Sequence, residues 1–113
     1  MSGVIGQRAW LGQGRGPDVE LVVTGTPLYA TYETLDGFPA VYDPDRELFC
    51  FARLTADGAF RSTGVSVLAA PPPGVRRHVH ESDRVRAAKI AGRQRELGAR
   101  QNRERALHER DIR

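Results

Sequence analysis

Residues 26–64 read TPLYATYETLDGFPAVYDPDRELFCFARLTADGAFRSTG, a series of β-rich runs cut by Asp36-Gly37, Asp43-Pro44-Asp45 and Asp57-Gly58. Glycine accepts the positive φ that a tight hairpin requires, and Pro44 fixes φ for a type I turn. Working outward, the strand-like runs are Val19–Thr24, Leu28–Thr34, Phe38–Tyr42, Glu47–Leu54 and Gly64–Leu68. Short turns between such runs predict an antiparallel meander of about five strands. Pro39 lacks an amide donor, so its strand is expected at an edge or beginning at a bulge.

The run Glu47–Leu54 is the expected centre of the sheet. Leu48, Cys50, Ala52 and Leu54 alternate with Phe49 and Phe51, so both faces are apolar. A sheet in so short a chain has little with which to cover both. The aromatic side, with Phe49 and Phe51, is therefore expected to meet the terminal helix or another protein. Cys50 is the chain's one cysteine, which precludes an internal disulfide, and its aromatic neighbours mark it as a small apolar strand residue.

Four regions follow: a Gly-rich N-terminal arm (1–17), the β-rich module (18–70), a Pro-rich connector (71–81) and a basic charged helix (82–113). The arm carries Gly3, Gly6, Gly12, Gly14 and Gly16, a density that disfavours regular structure. It reads as a flexible leader, or as an extended arm whose Trp10 anchors in a neighbour. Pro71-Pro72-Pro73 makes a stiff extended connector. Beyond it Ser82 is a plausible N-cap, and good helix formers follow. The whole is an α+β protein: a small twisted antiparallel sheet, a proline-rich hinge and a long charged C-terminal helix.

Charge divides by region. The first 74 residues carry five Lys/Arg and eight Asp/Glu, and residues 75–113 carry twelve and six. The helix has a poor apolar stripe, since Val85, Ile90, Leu97, Leu107 and Ile112 scatter over about half its circumference. Glu96–Arg100 and Glu109–Arg113 have the spacing of favourable pairs, and Lys89–Arg93 that of a repulsive one. Gly92 and Gly98 each cost roughly 1 kcal/mol relative to alanine, so the helix is expected to fray beyond the turns that touch the sheet. Arg84, Arg93 and Arg100 are its candidate partner contacts. Arginines neutralise phosphates whatever the base sequence, so sequence-independent contact with nucleic acid is one alternative. The tail has no aromatic ring on which bases stack and its six acids interrupt the positive field, so sequence-specific recognition is not expected of it.

No catalytic constellation is present. His78 and His80 are spaced i, i+2 and lack further ligands nearby, and Asp43, Asp45 and Glu47 lack the glycine and distal glutamate of an EF-hand loop. No cofactor or metal site is assigned. No run is long enough to cross a bilayer, and the first residues contain no signal-peptide core, so the expected location is cytoplasmic, within an assembled particle in one reading. Sixteen of the seventeen basic residues are arginine, a bias that suggests a GC-rich bacterial genome.

The stretch DGFPAVYD, the aromatic strand after it and ARLTADGAFRSTG resemble the N-terminal, pre-catalytic region of M6-family (immune inhibitor A-like) secreted metalloproteases. The likeness extends loosely into His80–Lys89, which looks like the charged helix that precedes the protease domain in that family. The H-E-x-x-H helix that would hold zinc is missing, so hydrolysis by that route is excluded. The resemblance implies a module that helps to fold, mask or tether a catalytic domain, with no catalytic residue to carry over. The expected function is a non-catalytic protein-binding or structural module, a small subunit of a larger hetero- or homo-oligomer. The alternative is a free-standing accessory or inhibitor of a metalloprotease client. In either case the apolar interior looks too small to hold both ends of the chain unaided.

Overall fold

The computed structural model describes the backbone of residues 3–112 and the side chains of residues 3–103. Leu107, Ile112 and the Glu109–Arg113 pair lie outside the described side chains. Six strands, β1 (Val4–Leu11), β2 (Val19–Thr26), β3 (Tyr29–Glu33), β4 (Pro39–Asp43), β5 (Leu48–Leu54) and β6 (Phe60–Ser66), precede one helix, α1 (Asp83–Ile112). They form a single open antiparallel meander in the order β1-β2-β3-β4-β5-β6. The fold is α+β, with one strand more than the five runs legible in sequence.

The extra strand comes from the Gly-rich segment expected to be an arm. Arg8, Ala9, Trp10 and Leu11 pair in register with Val22, Leu21, Glu20 and Val19. Its glycines do not prevent this, because they stand where the chain bends. Gly6, at φ 60°, lies in the register shift between Val4 and Gln7, and Gly12, Gly14 and Gly16 fall in the loop after the strand. The last strand also starts earlier than expected, at Phe60, since its ladder with β5 begins at Leu54↔Phe60.

Registers show which side chains share a face. Tyr32 lies opposite Ala40, Ala40 opposite Phe51, and Tyr42 opposite Phe49, so these side chains project together. On that face Val19, Leu21, Ala40 and Phe49 form the core cluster, flanked by Leu11, Tyr32 and Val67. The loop after β1 closes over it: Gln13 Oε1 accepts the Phe49 amide at 2.6 Å, and the Arg15 amide donates to the Glu47 carbonyl at 3.0 Å. Phe49 and Phe51 are consequently buried, with 6% and 2% of their surfaces exposed. The expectation that they present an aromatic face to a partner is corrected. The first hairpin covers that face, and Tyr32 and Tyr42 meet Phe49 edge-on with ring centroids 5.5 and 5.1 Å away.

The two Asp-Gly turns have one construction. In each, a threonine carbonyl accepts the glycine amide three residues on, and its hydroxyl accepts the amide four residues on (Thr34 with Gly37 and Phe38, Thr55 with Gly58 and Ala59). Gly37 and Gly58 sit at φ 91° and 82°, the left-handed position that closes such hairpins. Their second role was not visible in sequence. Their carbonyls accept the His78 and Ser82 amides, both at 2.9 Å, so the connector is strung between the two turns. A methyl group on Gly58 would stand 2.8 Å from Ser82 Cβ.

Truncating Phe51 to alanine is expected to cost about 3–5 kcal/mol, whereas Trp10→Ala should cost less than about 1 kcal/mol. Gly58→Ala should cost about 1–3 kcal/mol through its φ and its contact with Ser82. Urea unfolding followed by far-UV circular dichroism ranks the three. An Phe51→Ala variant as stable as Trp10→Ala would contradict the buried assignment.

Candidate partner-binding surfaces

The helix begins where sequence places it. Ser82 Oγ accepts the Val85 amide at 3.3 Å and the Ser82 carbonyl accepts the Arg86 amide at 2.9 Å, an N-cap in both respects. What attaches it to the sheet is the preceding residue. Glu81 is 5% exposed, and its carboxylate accepts the Tyr29 hydroxyl at 2.7 Å, the Phe60 amide at 2.7 Å and Lys89 Nζ at 2.6 Å. One anion thereby joins β3, β6 and the second turn of α1. Arg86 lies over the Tyr29 ring, 5.6 Å from its centroid.

Burial pushes the Glu81 carboxyl up, but the bonds from Lys89, Phe60 and Tyr29 outweigh it and hold the group below the usual glutamate range. Burial and the neighbouring Glu81 raise the Tyr29 phenol, which stays protonated as the donor. A second buried carboxylate closes the β4–β5 turn. Asp43 accepts the Asp45 and Arg46 amides, the Arg46 guanidinium at 3.0 Å and the Ser62 hydroxyl at 2.7 Å. In the acidic turn Asp43 is thus a buried cap, while Asp45 is exposed and Glu47 pairs with Arg15 at 2.8 Å. Among the described residues no group of three His, Cys, Asp or Glu is placed to hold a metal. His78 instead approaches Glu33, Nδ1 to Oε1 at 3.3 Å.

The ladder between β3 and β4 holds two residue pairs, Tyr32↔Ala40 and Glu33↔Pro39, against five between β2 and β3. Beyond those pairs the two strands part. A cleft of about 510 Å³ opens there, with Lys89, Arg93 and Glu96 of α1 along its rim.

Of the residues singled out in sequence, Trp10 is 67% exposed on the edge strand β1, and Ile5 of the same strand is 92% exposed. Trp10 shares its face with Arg8, which lies opposite Val22 and, across β2, Glu33. Val22 and Glu33 line a cavity with Arg86 and Ile90, so the indole stands on the side of the sheet that carries the helix. Arg84, Arg93 and Arg100 are all exposed. They do not act together, because at about 100° per residue Arg84 lies on the flank opposite Arg93 and Arg100. Glu96 reaches Arg93 at 3.5 Å instead of the expected Arg100, and Lys89 turns to Glu81, away from the repulsion expected with Arg93. The helix runs without a break from Asp83 to Ile112. Ile5 and Glu81 had no signal in sequence: one depends on a bulge, the other on a contact with β3, 52 residues away.

Comparison of the chain with family models, curated proteins and solved structures finds no match. Among the described residues no helix is long and apolar enough to cross a membrane.

Glu81→Ala leaves the Tyr29 hydroxyl and the Phe60 amide without their acceptor and is expected to cost about 2–3 kcal/mol. Because the folded carboxyl lies below its unfolded value, the Glu81 contribution is complete at neutral pH. It disappears as pH falls below the ordinary glutamate value of about 4.3. In thermal melts between neutral pH and about pH 3, Glu81→Gln should lose less stability on acidification than the parent chain. Parallel pH profiles would show that Glu81 is not the group responsible.

Proposed function

We propose that the protein is a non-catalytic binding module that serves as a small subunit of a larger protein assembly, docking through the edge strand β1. The observation that carries this reading is the exposure of Ile5 and Trp10 on a strand paired along one side only. An unpaired strand edge offers backbone donors and acceptors to an added strand, and large apolar side chains beside it supply the anchors on which such interfaces depend. The opposite edge, β6, lacks them, since none of its large apolar side chains is exposed. The register shift at Ile5-Gly6 also turns Ile5 out of the sheet, which favours a specific fit over indiscriminate edge pairing.

Trp10 is the chain's one tryptophan and therefore reports directly on this edge. In the dilute isolated chain its emission should be that of a water-exposed indole. It should shift to the blue when the chain enters its assembly, with native mass spectrometry registering the added mass. Ile5→Ser with Trp10→Ala should weaken that association at least about tenfold and barely change the melting temperature. An assembly that forms unchanged with both side chains removed would defeat the proposal.

A further inference from the structure

We propose that the free length of α1 is a second, chemically different surface that binds the phosphate backbone of duplex nucleic acid without base preference. Residues 84–112 contain nine Lys/Arg and four Asp/Glu, of which seven and one, Glu96, fall within residues 84–103. At about 100° per residue, Arg86, Lys89, Arg93, Arg100 and Arg103 fall within about 100° of arc, a stripe roughly 25 Å long that also contains Glu96, whose carboxylate lies 3.5 Å from Arg93. The stripe divides by task. Arg86 and Lys89 are committed to Tyr29 and Glu81, and Arg93, Arg100 and Arg103 continue the line, exposed.

Two observations favour phosphate over an acidic protein as the occupant. First, the described part of the helix offers no apolar anchor. Val85, Ile90 and Leu97, its large apolar side chains, are each half-buried, and none of the chain's exposed large hydrophobic residues lies on it. A protein interface draws most of its affinity from such anchors, whereas a phosphate backbone is held by cations alone. Second, the cations repeat along a straight axis. Arg93 and Arg100 are about 10 Å apart along it and Arg103 about 5 Å further. Duplex DNA carries one negative charge per about 1.7 Å of axis, so phosphates are available to each cation without any required sequence. The first 74 residues, with eight acids and five bases, carry a net negative charge that disfavours the same ligand. This surface is separate from the β1 edge, and neither depends on the other.

The test is a fluorescence anisotropy titration of the full chain against a labelled duplex of about 20 base pairs and arbitrary sequence. Three neutralised phosphates predict log K against log salt with a slope of about −3, a loss of roughly 60-fold between about 50 and 200 mM salt. Shuffling the duplex sequence should leave affinity unchanged. The triple variant Arg93→Gln, Arg100→Gln, Arg103→Gln keeps good helix formers at exposed positions and should flatten the slope by about two to three units. Arg8→Gln with Arg61→Gln, on the sheet, should leave it as it was. No salt-dependent binding, or a triple variant that binds like the parent, overturns the proposal. Tighter binding to polyglutamate of matched charge than to the duplex also overturns it and transfers the stripe to an acidic protein partner.

Discussion

The Glu81 carboxylate is the contact on which the arrangement of this molecule depends. The helix packs on β3 and on little else, and no residue of its described length is buried. Its direction is therefore set at its base, where one buried anion takes a phenol from β3, an amide from β6 and an ammonium from the helix itself. Burying a charge is costly unless the surrounding groups satisfy it, and here three donors do so while Lys89 keeps half of its own surface in water. The carboxylate acts as a junction between strands that the meander alone does not bring together with the helix. Everything beyond the third turn of α1 extends from that junction.

The same economy appears at the two Asp-Gly turns. Each closes a hairpin through a threonine that uses both its carbonyl and its hydroxyl, and each then offers its glycine carbonyl to the connector. A side chain at either glycine would violate the turn's φ and strike the connector as well. The connector turns at residues 72–75, where the Val75 amide donates to the Pro72 carbonyl, and its residues 78–82 run between the two acceptors.

The turns, the first four strand runs after Pro17 and the helix start were legible in sequence because each is decided locally, by φ, alternation or a cap. By contrast, β6 begins four residues before the run expected at Gly64, and Pro39 opens an interior strand without a bulge where an edge or a bulge was expected. The strand β1 was not legible, because glycine density argues against regular structure and the reason for each glycine emerges only from the bulge and the loop. Alternation along β5 correctly separated Phe49 and Phe51 from Cys50 and Ala52. It could not tell what covers each face, since the cover over Phe49 is a hairpin that pairs three strands away. Of the candidate partner contacts, Trp10 was legible as an unmatched indole, while Ile5 and Glu81 became meaningful only through tertiary contacts. The arginines were legible as charge, and their division into a stripe and an opposite flank required the helix to be continuous.

The separation of apolar and cationic surfaces also bears on why so polar a helix is present at all. With few apolar contacts and two internal glycines, α1 gains little from packing. Arg93, Arg95, Arg100 and Arg103 repel one another within a few turns, and the described acid among them, Glu96, offsets only part of that repulsion. A helix formed for packing would have used these positions differently, with apolar residues toward the sheet. Retaining cations where they weaken the free helix is understandable if a polyanion neutralises them in the working state, because the repulsion then becomes part of the driving force for binding. Helix order and polyanion affinity are in that case linked, and anchoring the base of the helix at Glu81 reduces the ordering entropy that binding must overcome.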